Sequence, residues 1–363
     1  MKLPKKPVFL VLSVAFLMVM ASAVGGDIAD PLISLSYLTG DYTTKITQEL
    51  ETALDTAEQV ILDGIDAQID GSALTQDTAS TWTESRLKQG DVLTLPTGGN
   101  VLVLAGDAQM NITTGTVVNV TTGAEIASGS ALLANNRYMA VEDTVATCTI
   151  TSKTAVVTYQ GPYGFTYSDS IDYNAMAQGL KDLSLFKGSF TGYGDGFDLE
   201  VAPTRVQALI MFIRVLGEED QALAWSGTTP FTDIATGSLN EQYVGYAYEN
   251  GYTNGYTTTT FLPNVDISAT QYAEFLLRAM DYRTAGSSDV STALTEAQSI
   301  GMLPATQVET LTSTTFLRAD LVSVSFDALA TQLADGSGTL AQRLISQGIF
   351  TNATYQNVLS QIQ

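Results

Sequence analysis

A helix-start motif that occurs twice, each time with the same apolar stripe behind it, constrains this chain most. Thr204 is followed three residues later by Gln207, and Ser268 is followed in the same way by Gln271. A Ser or Thr with a Gln at this spacing forms a capping box at the start of a helix. The apolar residues that follow each box have the spacing of one helix face: Ala208, Met211, Phe212 and Val215, then Tyr272, Phe275, Leu276 and Ala279. The chain therefore contains an internal repeat built on a capped helix.

A shorter helical segment precedes each capped helix, and a third, weaker copy follows. In the central copy the first helix covers 243–250 and ends at Gly251, a usual helix terminator. The first copy has Met176, Leu180 and Leu183 in this place, and the third has Leu294, Ala297 and Gly301, followed by Arg318, Leu321, Val324 and Ala328. We predict three repeats, at about 172–223, 230–282 and 289–350.

These residues resemble the S-layer homology (SLH) family. The motifs are FTDI at 231–234, YVGYAYENGYTNG at 243–255, FLPN at 261–264 and APTRVQALIMFIRVLG at 202–217, with LAQRLISQGIF at 340–350 similar to the end of such regions in secreted Firmicutes proteins. The resemblance implies that 172–350 forms an all-α prism of three SLH repeats with pseudo-threefold symmetry, followed by a tail at 351–363. It also implies cell-wall anchoring at the cell surface through an acidic, often pyruvylated, secondary cell-wall polysaccharide held in grooves between repeats.

Residues 66–160 differ in character from the repeats. Val, Thr and Gly dominate, and four stretches alternate with period two: 100–106, 115–123, 137–143 and 153–159. Turn residues separate them at short intervals. This pattern predicts an all-β domain, either a sandwich or a roll, joined to the repeats by a linker at 161–171.

The N-terminal part has the features of an exported protein. Residues 1–23 combine three lysines, an apolar run and an Ala-Ser-Ala cleavage site, as expected of a signal peptide; an uncleaved membrane anchor is the alternative. Within 24–65, an amphipathic helix is predicted at 42–62. Its single lysine favours packing or self-association over binding to a lipid surface.

Charge and composition exclude several classes of function. The formal net charge is −22, which disfavours nucleic acid and means that an anionic polymer can be bound only through a local basic site. The absence of histidine excludes a Ser-His-Asp triad, a Cys-His pair and histidine metal ligands. The single cysteine, Cys148, is expected to be a buried small residue. We predict no cofactor and no metal.

Two arginines are the candidate carboxylate ligands, because a guanidinium can donate two parallel hydrogen bonds to a carboxylate. Arg205 follows the cap Thr204, so we expect it and the free helix-start amides to form an anion site together. Arg318 keeps the arginine but follows Leu317 instead of a capping residue, and Ala269 replaces it in the second copy. The alternative for both arginines is an ordinary surface ion pair.

Other residues of the repeats are secondary candidates. Tyr252 and Tyr256 could line a sugar-binding groove, although buried tyrosines are equally common. Asp233 is expected to be structural, as a turn or cap residue. The candidate polysaccharide-binding residues are Arg205, Arg318, Thr204, Tyr252, Tyr256 and Gly255.

Three functions remain open at this stage. The first is a non-catalytic exported protein anchored through the repeats. The second is a tethered carbohydrate-active enzyme, in which acids of the β domain such as Asp91 or Glu142 would supply a glycosidase pair. The third is a self-assembling lattice subunit. The missing histidine and the absence of a recognisable catalytic signature favour the first and third.

Overall fold

The computed structural model describes residues 45, 47–52, 81–189, 191–284 and 289–362. The chain divides into two compact units, Met1–Ala73 and Leu74–Gln363. In the first unit, 47–52 are helical and exposed. The expected signal peptide at 1–23 and the rest of the predicted helix at 42–62 lie outside the described residues.

Residues 83–166 form two antiparallel sheets. The strands are β1 Thr83–Lys88, β2 Val92–Pro96, β3 Asn100–Ala105, β4 Ala108–Thr114, β5 Val117–Asn119, β6 Ala124–Ile126, β7 Ser130–Ala131, β8 Arg137–Ala140, β9 Val145–Ile150, β10 Thr154–Gln160 and β11 Gly164–Thr166. One sheet has the order β1-β10-β3-β8-β5-β6, and the other has the order β11-β2-β9-β4-β7. The all-β character predicted for this region is therefore confirmed.

The two sheets enclose one hydrophobic core. Alternate residues of several strands point inward, such as Val101 and Val103 of one sheet and Leu93 and Leu95 of the other. Cys148 is buried in this core, as predicted, and burial raises its pKa to about 12. β11 falls within the expected linker at 161–171 and pairs with β2, so the β region extends further than its sequence pattern indicated.

The described residues between 172 and 362 form helices joined by loops. The helices are α1 Tyr173–Asp182, α2 Arg205–Val215, α3 Glu219–Ala224, α4 Leu239–Glu249, α5 Ala269–Ala279, α6 Ala293–Ser299, α7 Ala305–Ser313, α8 Arg318–Ala330, α9 Leu340–Ser346 and α10 Asn352–Ile362. Both predicted capping boxes are formed, by Thr204 with Gln207 and by Ser268 with Gln271.

The helices that begin at the repeated motif lie together at the centre of this region. α2, α5 and α8 all contact one another. Each also packs against the first helix of another copy: α2 against α4, α5 against α6, and α8 against α1. The packing order is therefore cyclic, and the third copy closes the ring by contacting the first.

Polar contacts join the β region to the helical region within the second unit. Arg86 of β1 forms a 2.7 Å salt bridge with Glu200 and donates a 2.9 Å hydrogen bond to the carbonyl of Gly194. Lys153 forms a 2.6 Å salt bridge with Asp320 on α8. The hydrophobic cores of the two regions are separate clusters, so these long polar side chains connect them.

In the part of the chain that the structure describes, no helix has both the length and the apolar character needed to cross a membrane. The same residues contain no group of three or more acidic or cysteine side chains placed to hold a metal ion.

Candidate functional site

The start of α2 rests on the loop that precedes α5. The backbone N–H groups of Arg205 and Val206 donate to the carbonyls of Val265 and Pro263 at 2.8 and 3.1 Å. The next N–H, that of Gln207, donates to the Thr204 hydroxyl. The expected anion site of free helix-start amides is therefore wrong, because these amides already have backbone or cap partners. Thr204 serves as the cap.

The Arg205 guanidinium is buried and has an incomplete set of partners. The residue is 7 % exposed, and its Cζ lies 4.9 Å from the ring centre of Phe261 and 5.6 Å from that of Phe275. Nη2 makes a long 3.4 Å hydrogen bond to the Gly255 carbonyl. Nε is buried without a hydrogen-bond partner among the described residues, whose salt bridges include none to Arg205. The alternative of a surface ion pair therefore does not apply to this side chain.

Burial and a second arginine both disfavour the protonated form of Arg205. Burial, followed by the positive charge of Arg278, lowers the pKa of Arg205 to about 10. The group still carries its proton at neutral pH. A buried cation without an anionic partner is unfavourable for folding, and an incoming anion would relieve this.

Arg205 lines a cavity of about 290 Å³ that we call groove A. Its other lining residues come from the loop after α4, from α5 and from the segment before α6: Thr253, Asn254, Gly255, Tyr256, Gln271, Glu274, Phe275, Arg278 and Val290. Three of the candidates named from the sequence, Arg205, Gly255 and Tyr256, thus meet in one place. Sequence reasoning missed Glu274 and Arg278.

The other charges beside groove A are already paired. Glu274 accepts from Arg278 Nε at 2.8 Å and from Arg283 Nη1 at 2.5 Å. Arg283 also donates to Glu296 at 2.6 Å, and Arg278 donates to Asn254 Oδ1 at 2.7 Å. The only sequence signal for this network is the i,i+4 spacing of Glu274 and Arg278, which usually indicates an exposed pair.

Gly255 and Tyr256 shape the rim of groove A. Gly255 has φ of 86°, and a Cβ there would lie 2.3 Å from the Phe231 ring and 2.4 Å from the Thr257 carbonyl, so only glycine fits. Tyr256 follows it and is 61 % exposed, so its ring is available to a ligand.

Tyr252 and Asp233 serve other purposes. The Tyr252 hydroxyl donates to Glu218, its ring packs against Phe212, and it is not part of the cavity lining. Asp233 accepts hydrogen bonds from the backbone N–H groups of Phe261 and Leu262 at 2.9 and 2.7 Å. It therefore holds the turn under Arg205, which agrees with the structural role expected for it.

Arg318 occupies the corresponding position in the third copy, which we call groove B. The N–H groups of Arg318 and Ala319 donate to the carbonyls of Val201 and Leu199, the same pattern as at the start of α2. Arg318 Nε donates to the Phe197 carbonyl at 3.1 Å, and its Cζ lies 5.8 Å from the Phe186 ring centre. Burial lowers its pKa, and the negative charge of Asp198 opposes this.

Groove B contains a second arginine and a carboxylate. Arg214 stands in the last turn of α2 as Arg278 stands in the last turn of α5. Its Nε lies 2.8 Å from Oε1 of Glu219, which also accepts from the Tyr243 hydroxyl at 2.7 Å. Lys187 Nζ lies 2.5 Å from the other oxygen of Glu219. In groove B the chain therefore supplies its own acid, Glu219, to Arg214 and Lys187.

The third corresponding position, groove C, has the opposite charge. Ala269 is buried where the other copies have arginine. Asp320 and Asp327 stand on α8 where Gln271 and Arg278 stand on α5. Lys153 of the β region pairs with Asp320, while burial raises the pKa of Asp327 to about 6. The described residues at this position therefore include no free cation for an anionic ligand.

Comparisons with known proteins add no family. No family model matches the chain, and no curated protein matches it. Among solved structures, a dTDP-6-deoxy-D-glucose-3,5-epimerase of Legionella pneumophila is 18 % identical over 28 % of this chain and 56 % of that chain, with a TM-score of 0.17. Procruciferin of Brassica napus is 11 % identical over 28 % of this chain and 27 % of that chain, also at 0.17. ToxT of Vibrio cholerae is 12 % identical over 78 % and 94 % of the two chains, at 0.12. Such TM-scores carry no argument about fold or function.

Proposed function

We propose that this protein is a non-catalytic exported protein of the SLH type, which attaches to the cell wall by binding a carboxylate-bearing secondary polysaccharide in groove A. The observation that carries the proposal is the Arg205 side chain, which is buried beside a cavity and has no salt bridge to any residue that the structure describes. The cyclic packing of α2, α5 and α8 supports the resemblance to a three-repeat prism.

Each side of groove A suits one part of an acidic sugar. Arg205 supplies the charge and the donors for a carboxylate, in surroundings that exclude most water. Tyr256 offers an exposed ring face at the rim, and aromatic rings commonly pack against the apolar faces of sugars. Asn254 and Gln271 line the cavity with amide groups that hydrogen-bond to hydroxyls.

Bulk electrostatics would oppose this binding, so it must depend on the local site. The net charge of −22 repels a polyanion at long range, and salt screens that repulsion. A ligand held by a buried arginine should therefore bind as well or better when the ionic strength is raised moderately. Binding through a diffuse basic surface would instead weaken.

The test is the binding of the whole protein to cell wall from the organism that makes it, before and after chemical removal of the secondary polymer. Binding should require the polymer. Arg205→Met should weaken binding by about 30- to 1,000-fold, corresponding to about 2–4 kcal/mol for the loss of one partner of a buried charge pair. Arg205→Lys should restore only part of the affinity, because an ammonium group cannot reproduce the planar fork.

Arg318→Met is the matched control, since Arg318 has the same backbone setting in groove B. It should change the affinity less than Arg205→Met. The free energy of unfolding of Arg205→Met should not fall, because a buried charge without a partner is replaced by an apolar chain of similar length. Undiminished wall binding by a folded Arg205→Met protein would refute the proposal.

A further inference from the structure

Groove B repeats the backbone of groove A. In both, the first two N–H groups of a central helix donate to two carbonyls of a loop in another copy. In both, an arginine begins that helix and a second arginine lies near it: Arg205 with Arg278, and Arg318 with Arg214. The two grooves are therefore corresponding sites, and their side chains can be compared position by position.

The decisive difference lies at Glu219. It follows Arg214 at the same spacing as Arg283 follows Arg278, so an acid in groove B stands where groove A has a base. Lys187, which precedes Gly188, takes the place of Asn254, which precedes Gly255. In groove A, Arg278 donates to the neutral Asn254. Arg214 and Lys187 cannot bond to each other in this way, since both are cations.

Three donors from three separate elements converge on the Glu219 carboxylate. Lys187 comes from the loop after α1, Arg214 from the last turn of α2, and Tyr243 from α4. The distances are 2.5, 2.8 and 2.7 Å, so both oxygens are held. A lysine, an arginine and a phenol gathered around one carboxylate are the donors that a binding site for an external carboxylate would use.

We propose that Lys187, Arg214 and Tyr243 form a second carboxylate-binding site, which the chain's own Glu219 occupies in place of an external ligand. The ligands that fit the vacated site are small carboxylates and carboxylate-bearing sugars. Glu219 belongs to the six-residue helix α3, which begins at this residue, so its carboxylate is delivered by a short local element.

Protonation of Glu219 does not free this site near neutral pH. Burial alone would raise the pKa of Glu219, but the hydrogen bonds from Lys187, Tyr243 and Arg214 lower it to about 2. Glu219 therefore stays ionised and bound at neutral and mildly acidic pH. If groove A binds the polymer, a point that rests on the proposed function, each protein molecule offers one open site rather than two.

The experiment is rescue of Glu219→Ala by acetate, the smallest carboxylate probe, in the full chain. Removing the carboxylate should lower the melting temperature. About 100 mM sodium acetate should then raise it by about 3 °C more than it raises that of the unchanged protein, because acetate binds only the folded state. Sodium chloride at equal ionic strength should not do so. Adding Lys187→Met, at a side chain that is 60 % exposed, should abolish the rescue.

Glu249→Ala is the matched control, because Glu249 is an exposed acid of the same region whose carboxylate accepts from the Trp225 indole and not from a cation. It should show no acetate rescue. An acetate response in Glu219→Ala no larger than in the unchanged protein would overturn the proposal. If Glu219→Ala does not fold in chloride, it should refold in acetate, and failure in both salts would also overturn it. The acetate assay involves no polysaccharide, so its failure would not contradict the wall-binding proposal. Failure of wall binding would likewise not contradict the proposed carboxylate site at Lys187, Arg214 and Tyr243.

Discussion

Grooves A and B have the same backbone and both contain two arginines, yet among the described residues the arginine that begins the central helix keeps a buried Nε without a hydrogen-bond partner only in groove A. In groove A, Glu274 and Glu296 neutralise Arg278 and Arg283, and Arg205 has no salt bridge among the described residues. In groove B, Glu219 joins Arg214 to Lys187, and Arg318 bonds to a backbone carbonyl. The difference teaches that an arginine at the repeated position does not by itself define a ligand site. What matters is whether the surrounding groups satisfy its guanidinium: Arg318 Nε has a carbonyl acceptor, whereas Arg205 Nε has none among the described residues.

Groove C extends the comparison. It lacks the arginine, carries two aspartates on the facing helix, and is contacted by Lys153 of the β region. The same backbone thus supports three electrostatic outcomes: an uncompensated cation, an internal ion pair and a contact with another region. We expect only the first to bind an anionic polymer.

The largest expected effect is on the buried network of groove A. Glu274→Gln removes the charge that Arg278 and Arg283 share, and all three side chains are almost fully buried. We expect the free energy of unfolding to fall by about 3 kcal/mol, the lower end of the range for breaking a buried ion pair, because both arginines keep other acceptors. Chemical denaturation measures this change. Glu249→Gln, at an exposed acid without a cationic partner, should change it by less than about 1 kcal/mol. Equal effects of the two substitutions would show that the network is not buried as described.

A smaller effect is expected in groove B, where Glu219 should make the free energy of unfolding depend on pH. The pKa of Glu219 is about 2 in the folded protein and about 4.5 in its ordinary state, so folding favours the ionised form. The resulting stability is fully present above pH 4.5 and is lost as the pH falls toward 2. Because Lys187 is largely exposed and solvent screens the pair, we expect a contribution of about 1 kcal/mol. Glu219→Gln should lack this contribution at pH 7 and converge with the unchanged protein near pH 2. Unfolding free energies that differ by the same amount at every pH would contradict the assignment.

The sequence was most informative where the signal is local. The capping boxes at Thr204 and Ser268 and the period-two stretches at 100–106 and 153–159 depend on neighbouring residues only, and the structure confirms them. Arg205, Gly255 and Tyr256 were named as candidates from the repeat, and the structure places all three around one cavity.

The sequence was least informative where a long polar side chain crosses to a distant element. Lys187 and Glu219 are far apart along the chain, and so are Lys153 and Asp320. No sequence periodicity predicts such pairs, because the partner of a long charged side chain depends on how the helices pack. The predicted free amides at Arg205 failed for the same reason, since their acceptors lie on the loop of another copy.

The smallest expected effect concerns groove C, where Ala269 stands in place of the arginine of the other two copies. Ala269→Arg would restore that arginine. By comparison with Arg205 and Arg278, an arginine introduced at this position would lie near Asp327, whose pKa burial raises to about 6. Asp327 accepts a 2.8 Å hydrogen bond from Gln307, and the salt bridges of the described residues include none to it. The new guanidinium should pair with that carboxylate and remain unavailable to the polymer.

We therefore expect Ala269→Arg to change wall affinity by less than about twofold, a difference of about 0.4 kcal/mol, and to lower the pKa of Asp327 as followed by NMR titration. Ala269→Met, which adds comparable bulk without charge, is the control and should leave that pKa raised. A tenfold gain in affinity with Asp327 unchanged would show that the cation reaches the polymer. In that case polymer binding by a groove would depend on the presence of the arginine and not on whether neighbouring acids pair with it.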